Sequence, residues 1–252
     1  MSERSVTESL AYEWTPIGRV HSCYPEKFGI PRQSGLVAAK ATVEIFPAFS
    51  DPAAWNGLGE FSHIWLLYPF HAAGHEAWQH SVRPPRLGGN ERVGVFASRS
   101  PFRPNRLGLS AVELLHVGQE SGQMILSIRG VDILNETPVI DIKPYLPYAD
   151  AIAHARGGFA HDAPRARLQV VFTPQAEVDA ERFSAQYGAT LRETIVQSLA
   201  LDPRPAYRTA SVDTHRYGMR LYDIDVKFHV EDEQVVVVER IETAPRILKA
   251  RD

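Results

Sequence analysis

The sequence predicts a mainly β N-terminal part, built as a barrel or a sandwich, followed by a smaller α+β part. Three observations carry this. Short apolar runs, rich in aromatic and β-branched residues, recur between Pro/Gly turns over the first ~150 positions. Long helical patterns are missing from that stretch, which favours a layered or closed β architecture. After Asp150 the composition shifts, and an apolar stripe with helical spacing appears.

Taken in order, residues 1–10 are polar and are expected to be loose. Ala11 to Tyr24 reads as an extended segment entering the fold. Leu36 to Phe46 has strand character, and Phe61 to Phe70 (FSHIWLLYPF) is a nearly continuous apolar run that predicts a buried strand. Pro69 places an edge or an end there. Further strands are expected at Arg92–Ser98, Leu107–Val117 and Gln123–Gly130, with Gln119–Gly122 supplying hairpin-turn chemistry. Val139–Ile142 is one more short apolar segment. These elements make a first domain over residues 11–150.

Residues 151–166 (AIAHARGGFAHDAPRA) read as a linker or surface excursion. A second domain follows over 167–252, opening with a strand at Arg167–Thr173. Helices are expected at Gln175–Tyr187 and Thr190–Leu201, the second carrying Leu191, Ile195 and Leu199 on one face. Two strands, Met219–Val230 and Gln234–Ile241, finish the domain around an acidic turn at Glu231–Glu233.

Composition narrows the function. Hydrophobic residues make up 44% and charged residues 23% of 252 positions, as in an ordinary globular chain. There is no apolar run long enough for a membrane span and no signal-peptide core, so a cytoplasmic protein is expected. The single cysteine, Cys23, cannot form an internal disulfide and is read as a small packed residue. The net charge of -3 argues against a protein that coats nucleic acid through bulk charge, and DNA is not an expected partner. A local basic patch stays open, since 22 of the 27 basic residues are arginines.

That patch exists. Arg83–Ser110 (RPPRLGGNERVGVFASRSPFRPNRLGLS) holds six arginines against one acid, Glu91, with four prolines and four glycines. Prolines fix φ and glycines permit positive φ, so the arginines sit on a shaped backbone suited to holding an anion. Three weaker clusters accompany it: Tyr24–Leu36 with Pro31, Arg32 and Gln33; Asp132–Asp150, which gathers Asp132, Glu136, Asp141, Lys143, Tyr145 and Tyr148; and Leu201–Arg208 (LDPRPAYR), a stiff turn bearing Arg204 and Tyr207. Fingerprints for a dinucleotide-binding Rossmann fold, a P-loop and a hydrolase nucleophile elbow are all missing. His71 and His75 have i, i+4 spacing but lack further ligand pattern, and no metal is expected.

Together the segments EKFGIPRQSGL, FSHIWLLYPFH, RPPRLGGNERVGVFASRSPFRPNRLGLS, the run from Asp132 through TPVIDIKPYLPYAD, and DPRPAY resemble the tRNA N6-threonylcarbamoyladenosine methyltransferase family, the TsaA-like or TrmO proteins. The resemblance spans most of the chain. It implies a single-sheet β-barrel that binds S-adenosylmethionine, a smaller C-terminal domain that engages tRNA, and a homodimer with the cofactor near the subunit interface. It implies methylation of N6 of threonylcarbamoyladenosine at position 37, in the anticodon loop of tRNA.

By that resemblance, Pro31, Arg32, Gln33, His71, Ala72, Arg99, Leu109 and the loop Asp132, Ile133, Leu134, Asn135 are the cofactor contacts. Where the family often has an acid–Gly pair before Thr-Pro, this chain has Asn135–Glu136. Asp132 and Asp141 are the candidate bases, with Tyr145 as an alternative. Arg103 and Arg106, with Arg86 as a third, are candidates for the substrate carboxylate, and Lys143, Arg204 and Tyr207 for further substrate contacts. Two rival readings are a methyltransferase of the same fold with another substrate and a non-catalytic module that binds S-adenosylmethionine or RNA.

Overall fold

One seven-stranded antiparallel sheet organises the N-terminal part, in the order β8–β1–β2–β7–β6–β3–β9. The structure is a computed structural model and describes residues 12–72, 78–205, 215–232 and 234–245. Its strands are β1 (Gly18–His21), β2 (Lys40–Ile45), β3 (His63–Pro69), β6 (Leu107–Glu120), β7 (Gln123–Arg129), β8 (Thr137–Val139) and β9 (Asp141–Pro144). A two-stranded ribbon of β4 (Ser81–Val82) and β5 (Val93–Gly94) stands apart.

The run 137–144 closes the sheet into a barrel. Its first half pairs with β1 and its second half with β3, and the Ile140 N–H between them donates to the Leu67 carbonyl at 2.8 Å. One segment therefore binds both ends of the sheet, which removes the exposed edges that an open sheet would carry. Along β3, Ile64, Leu66 and Tyr68 are buried inside while Trp65 and Leu67 point outward. The period-2 alternation of a one-faced sheet thus replaces the uniformly buried strand expected from FSHIWLLYPF. Val20, Val43, Ile45, Val112, Leu126 and Ile128 fill the rest of the interior. The β6–β7 hairpin turns at Ser121 and Gly122, both at positive φ (50° and 84°), which matches a type I′ turn at the expected place.

The C-terminal part is a four-stranded sheet, β10–β13–β12–β11, in which β10 (Gln169–Phe172) runs parallel to β13 (Val235–Thr243). Helices α2 (Pro174–Tyr187) and α3 (Leu191–Ala200) pack against it, burying Phe183, Leu191, Ile195 and Leu199. The Thr173 hydroxyl caps α2 by accepting from the Ala176 N–H at 3.1 Å.

Two expectations fail for local reasons. The single strand read over Met219–Val230 is a hairpin of β11 (Arg216–Leu221) and β12 (Ile224–Val230). Its turn uses Tyr222 at φ 53°, and LYDI carries no glycine to announce it. The strand read over Arg92–Ser98 shrinks to β5 followed by one 3-10 turn at Val95–Ala97. The expectation of looseness for residues 1–10 lies outside the described residues, as do His75 and Tyr207.

The segment 22–38, which follows β1, is held between the two parts. The Tyr222 N–H donates to the Cys23 carbonyl at 2.7 Å, and the Ala38 N–H donates to Gln197 Oε1 at 2.6 Å. Phe28 stacks on Tyr217. Cys23 is buried, and burial pushes its thiol up to about 12, which keeps it a packed, unreactive group. No helix among the described residues is long and apolar enough to cross a membrane.

Candidate active site at one end of the barrel

The end of β3, the start of β6, the loop 130–136 and the clamped segment 22–38 all meet at one end of the barrel. The Gly35 N–H donates to the Gly130 carbonyl at 2.8 Å, and the Asn135 N–H donates to the Tyr24 carbonyl at 2.8 Å. The Ser22 hydroxyl donates to the Ile133 carbonyl at 2.7 Å, and the Ser22 N–H donates to Asn135 Oδ1 at 3.0 Å. Gly35 and Gly130 both have positive φ, and a Cβ on Gly130 would sit 3.3 Å from the Gly35 backbone. These glycines let the two loops touch.

Asp132 occupies this junction. Its Oδ1 accepts from Ser110 Oγ at 2.6 Å, and Ser110 Oγ lies 2.9 Å from the Tyr68 hydroxyl. Burial raises the Asp132 carboxyl above its ordinary value, while hydrogen bonds from Ser110 and from the backbone, including that at Ser34, and the charge of Arg99 oppose the rise. Burial likewise pushes up the Tyr68 phenol, with the Asp132 charge adding to it. A carboxylate desolvated but still reached by donors is suited to proton transfer. Gly108 is obligatory beside it, because a Cβ there would collide with the Tyr68 ring.

Around Asp132 the structure gathers several expected residues. Arg99 donates to Gln33 Oε1, and the Gln33 amide donates to the Arg32 carbonyl. His71, at the exit of β3, has Nδ1 3.3 Å from Thr137 Oγ1, and that hydroxyl donates to the Leu134 carbonyl at 2.7 Å. Ala72 is exposed in the turn that follows. Pro31 is buried and Arg32 is exposed; desolvation and then the charge of Arg167 lower its guanidinium pKa. The charge of Asp202, in the C-terminal part, opposes that lowering. Asn135–Glu136 replaces the acid–Gly pair, with Glu136 itself at φ 66° and paired to Arg19 at 2.9 Å and to His21 at 3.0 Å.

Other expected residues lie elsewhere. Leu109 points out of the barrel, opposite Leu67, and Leu67 in turn pairs with Asp141; all three lie on the outer wall. Asp141 also holds Lys143 at 3.0 Å on that wall. Tyr145 packs on His63 and Trp65 at the start of β3, about 20 Å of strand away from the His71 end. Asp132, Asp141 and Tyr145 are thus not brought together as alternatives in one pocket. Arg204 is 2% exposed and forms a two-pronged pair with Asp202 at 2.8 and 2.9 Å, so it is part of the C-terminal core and presents no guanidinium to RNA.

Within the arginine-rich stretch, Arg86 donates to the Asp162 carbonyl of the linker. Arg103 donates to the Ser98 carbonyl at 2.8 Å and lies over the Phe96 ring. Arg106 turns the chain into β6 at φ 48°, its carbonyl accepting from the Phe70 N–H. Ser110 and Tyr68 were missed in the sequence, although Ser110 shares its strand parity with the inward Val112 and Leu114.

The donor set fits S-adenosylmethionine in kind: a guanidinium for its carboxylate, a carboxylate for cationic or hydroxyl groups, and an amide and backbone groups for its base. Comparison with known proteins agrees. The model of the tRNA-methyltransferase O N-terminal domain matches residues 19–151, and that of the TrmO C-terminal domain matches 165–244. A protein of Pseudomonas aeruginosa described as a putative S-adenosylmethionine-dependent methyltransferase is 47% identical over 221 residues, 87% of this chain and 93% of its own. A tRNA (adenine(37)-N6)-methyltransferase of Escherichia coli is 41% identical over 223 residues, 88% of this chain and 94% of its own. The crystal structure of TrmO from Pseudomonas aeruginosa superposes with a TM-score of 0.76 at 38% identity, covering 93% of this chain and 99% of that one. With both halves matched, the chain belongs to the tRNA-methyltransferase O family.

Proposed function

We propose that this chain is an S-adenosylmethionine-dependent methyltransferase acting on N6 of adenosine 37 of tRNA, in the anticodon loop, where that nitrogen carries a threonylcarbamoyl group. The observation that carries the reading is the desolvated Asp132 carboxylate, held by Ser110 between Arg99 and the Gln33 loop. S-adenosylmethionine, when bound, supplies a methyl group on a sulfonium.

The residues of the chain supply alignment and proton handling. A ureido nitrogen is a poor nucleophile, because its lone pair is delocalised into the carbonyl. Asp132 is the proposed acceptor of its proton as the new N–C bond forms and the methyl group's bond to the sulfonium sulfur breaks, leaving a neutral thioether. Ser110 fixes the orientation of that carboxylate, and Tyr68 fixes Ser110. Arg99 and Gln33 hold the cofactor, with Pro31, His71, Ala72 and Ile133 to Asn135 shaping the pocket. Arg103 and Arg106 meet the threonyl carboxylate and the RNA phosphates.

Leu109 supports a homodimer. It is 52% exposed on the outer wall, which leaves it open to a neighbouring copy. Asp141, on the same wall, then also faces the partner rather than its own Asp132.

The test is mass spectrometry of tRNA nucleosides. Purified protein with S-adenosylmethionine should convert N6-threonylcarbamoyladenosine in tRNA to its N6-methyl derivative. Transfer to another nucleoside, or none to any tRNA, rejects the reading.

A further inference from the structure

An exposed aromatic cluster stands beside the site and has no role in the chemistry above. Phe96 is 71% exposed and Trp78 is 41% exposed. Their ring centroids lie 6.3 Å apart at a tilt of 35°, and Trp78 meets the exposed His80 at 4.3 Å. Large rings left this open lose the burial energy that normally stabilises them, which marks a contact surface.

The backbone holds the rings firmly. The Val95 N–H donates to the His80 carbonyl at 3.0 Å, and the Gln79 N–H donates to the Phe102 carbonyl at 3.0 Å. Phe96 sits in the turn Val95–Ala97, three residues before Arg99. The Arg103 guanidinium lies 5.8 Å from the Phe96 centroid and spends Nη1 on the Ser98 carbonyl, which leaves donors of its five N–H groups for a phosphate. The stretch that carries the cluster has six arginines and one acid.

We propose that Phe96, Trp78 and His80 form a platform on which unpaired bases of the RNA loop stack, with Arg103 binding the adjacent phosphate, so that the loop is opened beside Asp132. Rings supply a sequence-tolerant stacking surface, and arginines track the backbone; single-stranded nucleic acid is bound in this way. An excess of positive charge favours RNA over a second copy of this chain as the occupant, because two copies would bring like charges together. The proposal rests on tRNA being the substrate.

The test compares Phe96→Ala, Phe96→Leu, Phe96→Trp and Trp78→Ala with the parent. Readouts are kcat and KM for threonylcarbamoylated tRNA, S-adenosylmethionine affinity by calorimetry, and mass by light scattering. The Ala and Leu variants should raise the KM for tRNA about 5–150-fold, the range of base–aromatic stacking. Cofactor affinity and mass should stay unchanged, and Phe96→Trp should retain tight tRNA binding. Leucine keeps apolar bulk but no π face, so a Leu variant that behaves like the parent overturns stacking. A fall in mass assigns the cluster to a subunit contact and overturns the proposal, as does an unchanged KM or lost cofactor binding. Failure of the parent itself to methylate tRNA would reject the proposed function instead, so the two failures are distinct.

Discussion

Ser110 and Leu109 are adjacent in the chain but belong to opposite sides of the barrel wall. Ser110 is buried, 2.6 Å from Asp132, whereas Leu109 is exposed on the outside. This follows from the two-residue period of a strand, and it divides one short motif between two tasks.

The inward task concerns Asp132. Asp132→Asn should lower the methylation rate about 10²–10⁴-fold, the usual span for a positioned base. The pH dependence has a definite sign. Burial raises the carboxyl above its ordinary value, so in the parent kcat/KM should rise with pH through that raised value. Ser110→Ala removes a donor that favours the ionised form and should move this limb to higher pH. Stability runs the other way. A carboxyl raised by folding contributes fully below its unfolded pKa, and that contribution is lost as pH rises through the folded value. Asp132→Asn should therefore gain in Tm relative to the parent between acid and neutral pH. Melting curves beside pH–rate profiles check both; a variant uniformly less stable at every pH contradicts the account.

The outward task concerns Leu109. Leu109→Asp places a charge on the exposed wall opposite Leu67, so the monomer fold should change by no more than about 0.5 kcal/mol. If the wall is a subunit contact, the variant should run as a single chain in light scattering and bind S-adenosylmethionine more weakly. A variant that keeps the mass and affinity of the parent leaves the wall without that role.

Much of this arrangement is legible in the sequence. The loops carrying Pro31–Gln33, Arg99 and Asp132 are picked out by the motifs that carry the family resemblance, since by residue type alone the first reads as a plain turn, and the structure joins them. Facing is harder to read. Asp141 and Tyr145 lie near Asp132 in sequence, yet closure of the barrel sends β9 to the far edge of the sheet, beside β3. A motif scan also passes over Ser110, since one hydroxyl in an apolar strand is noticed only once strand parity is followed inward. The β11–β12 hairpin was hidden because tertiary packing holds Tyr222 at positive φ where a glycine would have signalled the turn.

Gly108 tests the packing beneath the site. Gly108→Ala would drive a methyl group into the Tyr68 ring, and overpacking of this kind costs about 1–3 kcal/mol. The ring must shift, and the Tyr68–Ser110 contact weakens with it. Denaturant unfolding should show the loss, accompanied by reduced turnover. Tyr68→Leu in the same chain should recover part of the stability because the colliding ring is gone; a strictly additive double variant would place the cost elsewhere.

Arg204 distinguishes a core role from an RNA contact. Its guanidinium is buried against Asp202, whose own backbone is at φ 53°. Removing one member of a buried pair strands the other charge and costs about 3–5 kcal/mol. Arg204→Met should lower stability by that order, and Asp202→Asn added to it should restore a good part, since asparagine tolerates left-handed backbone and carries no charge. An Arg204→Met protein with full stability but weakened tRNA affinity would instead return Arg204 to the RNA-binding surface.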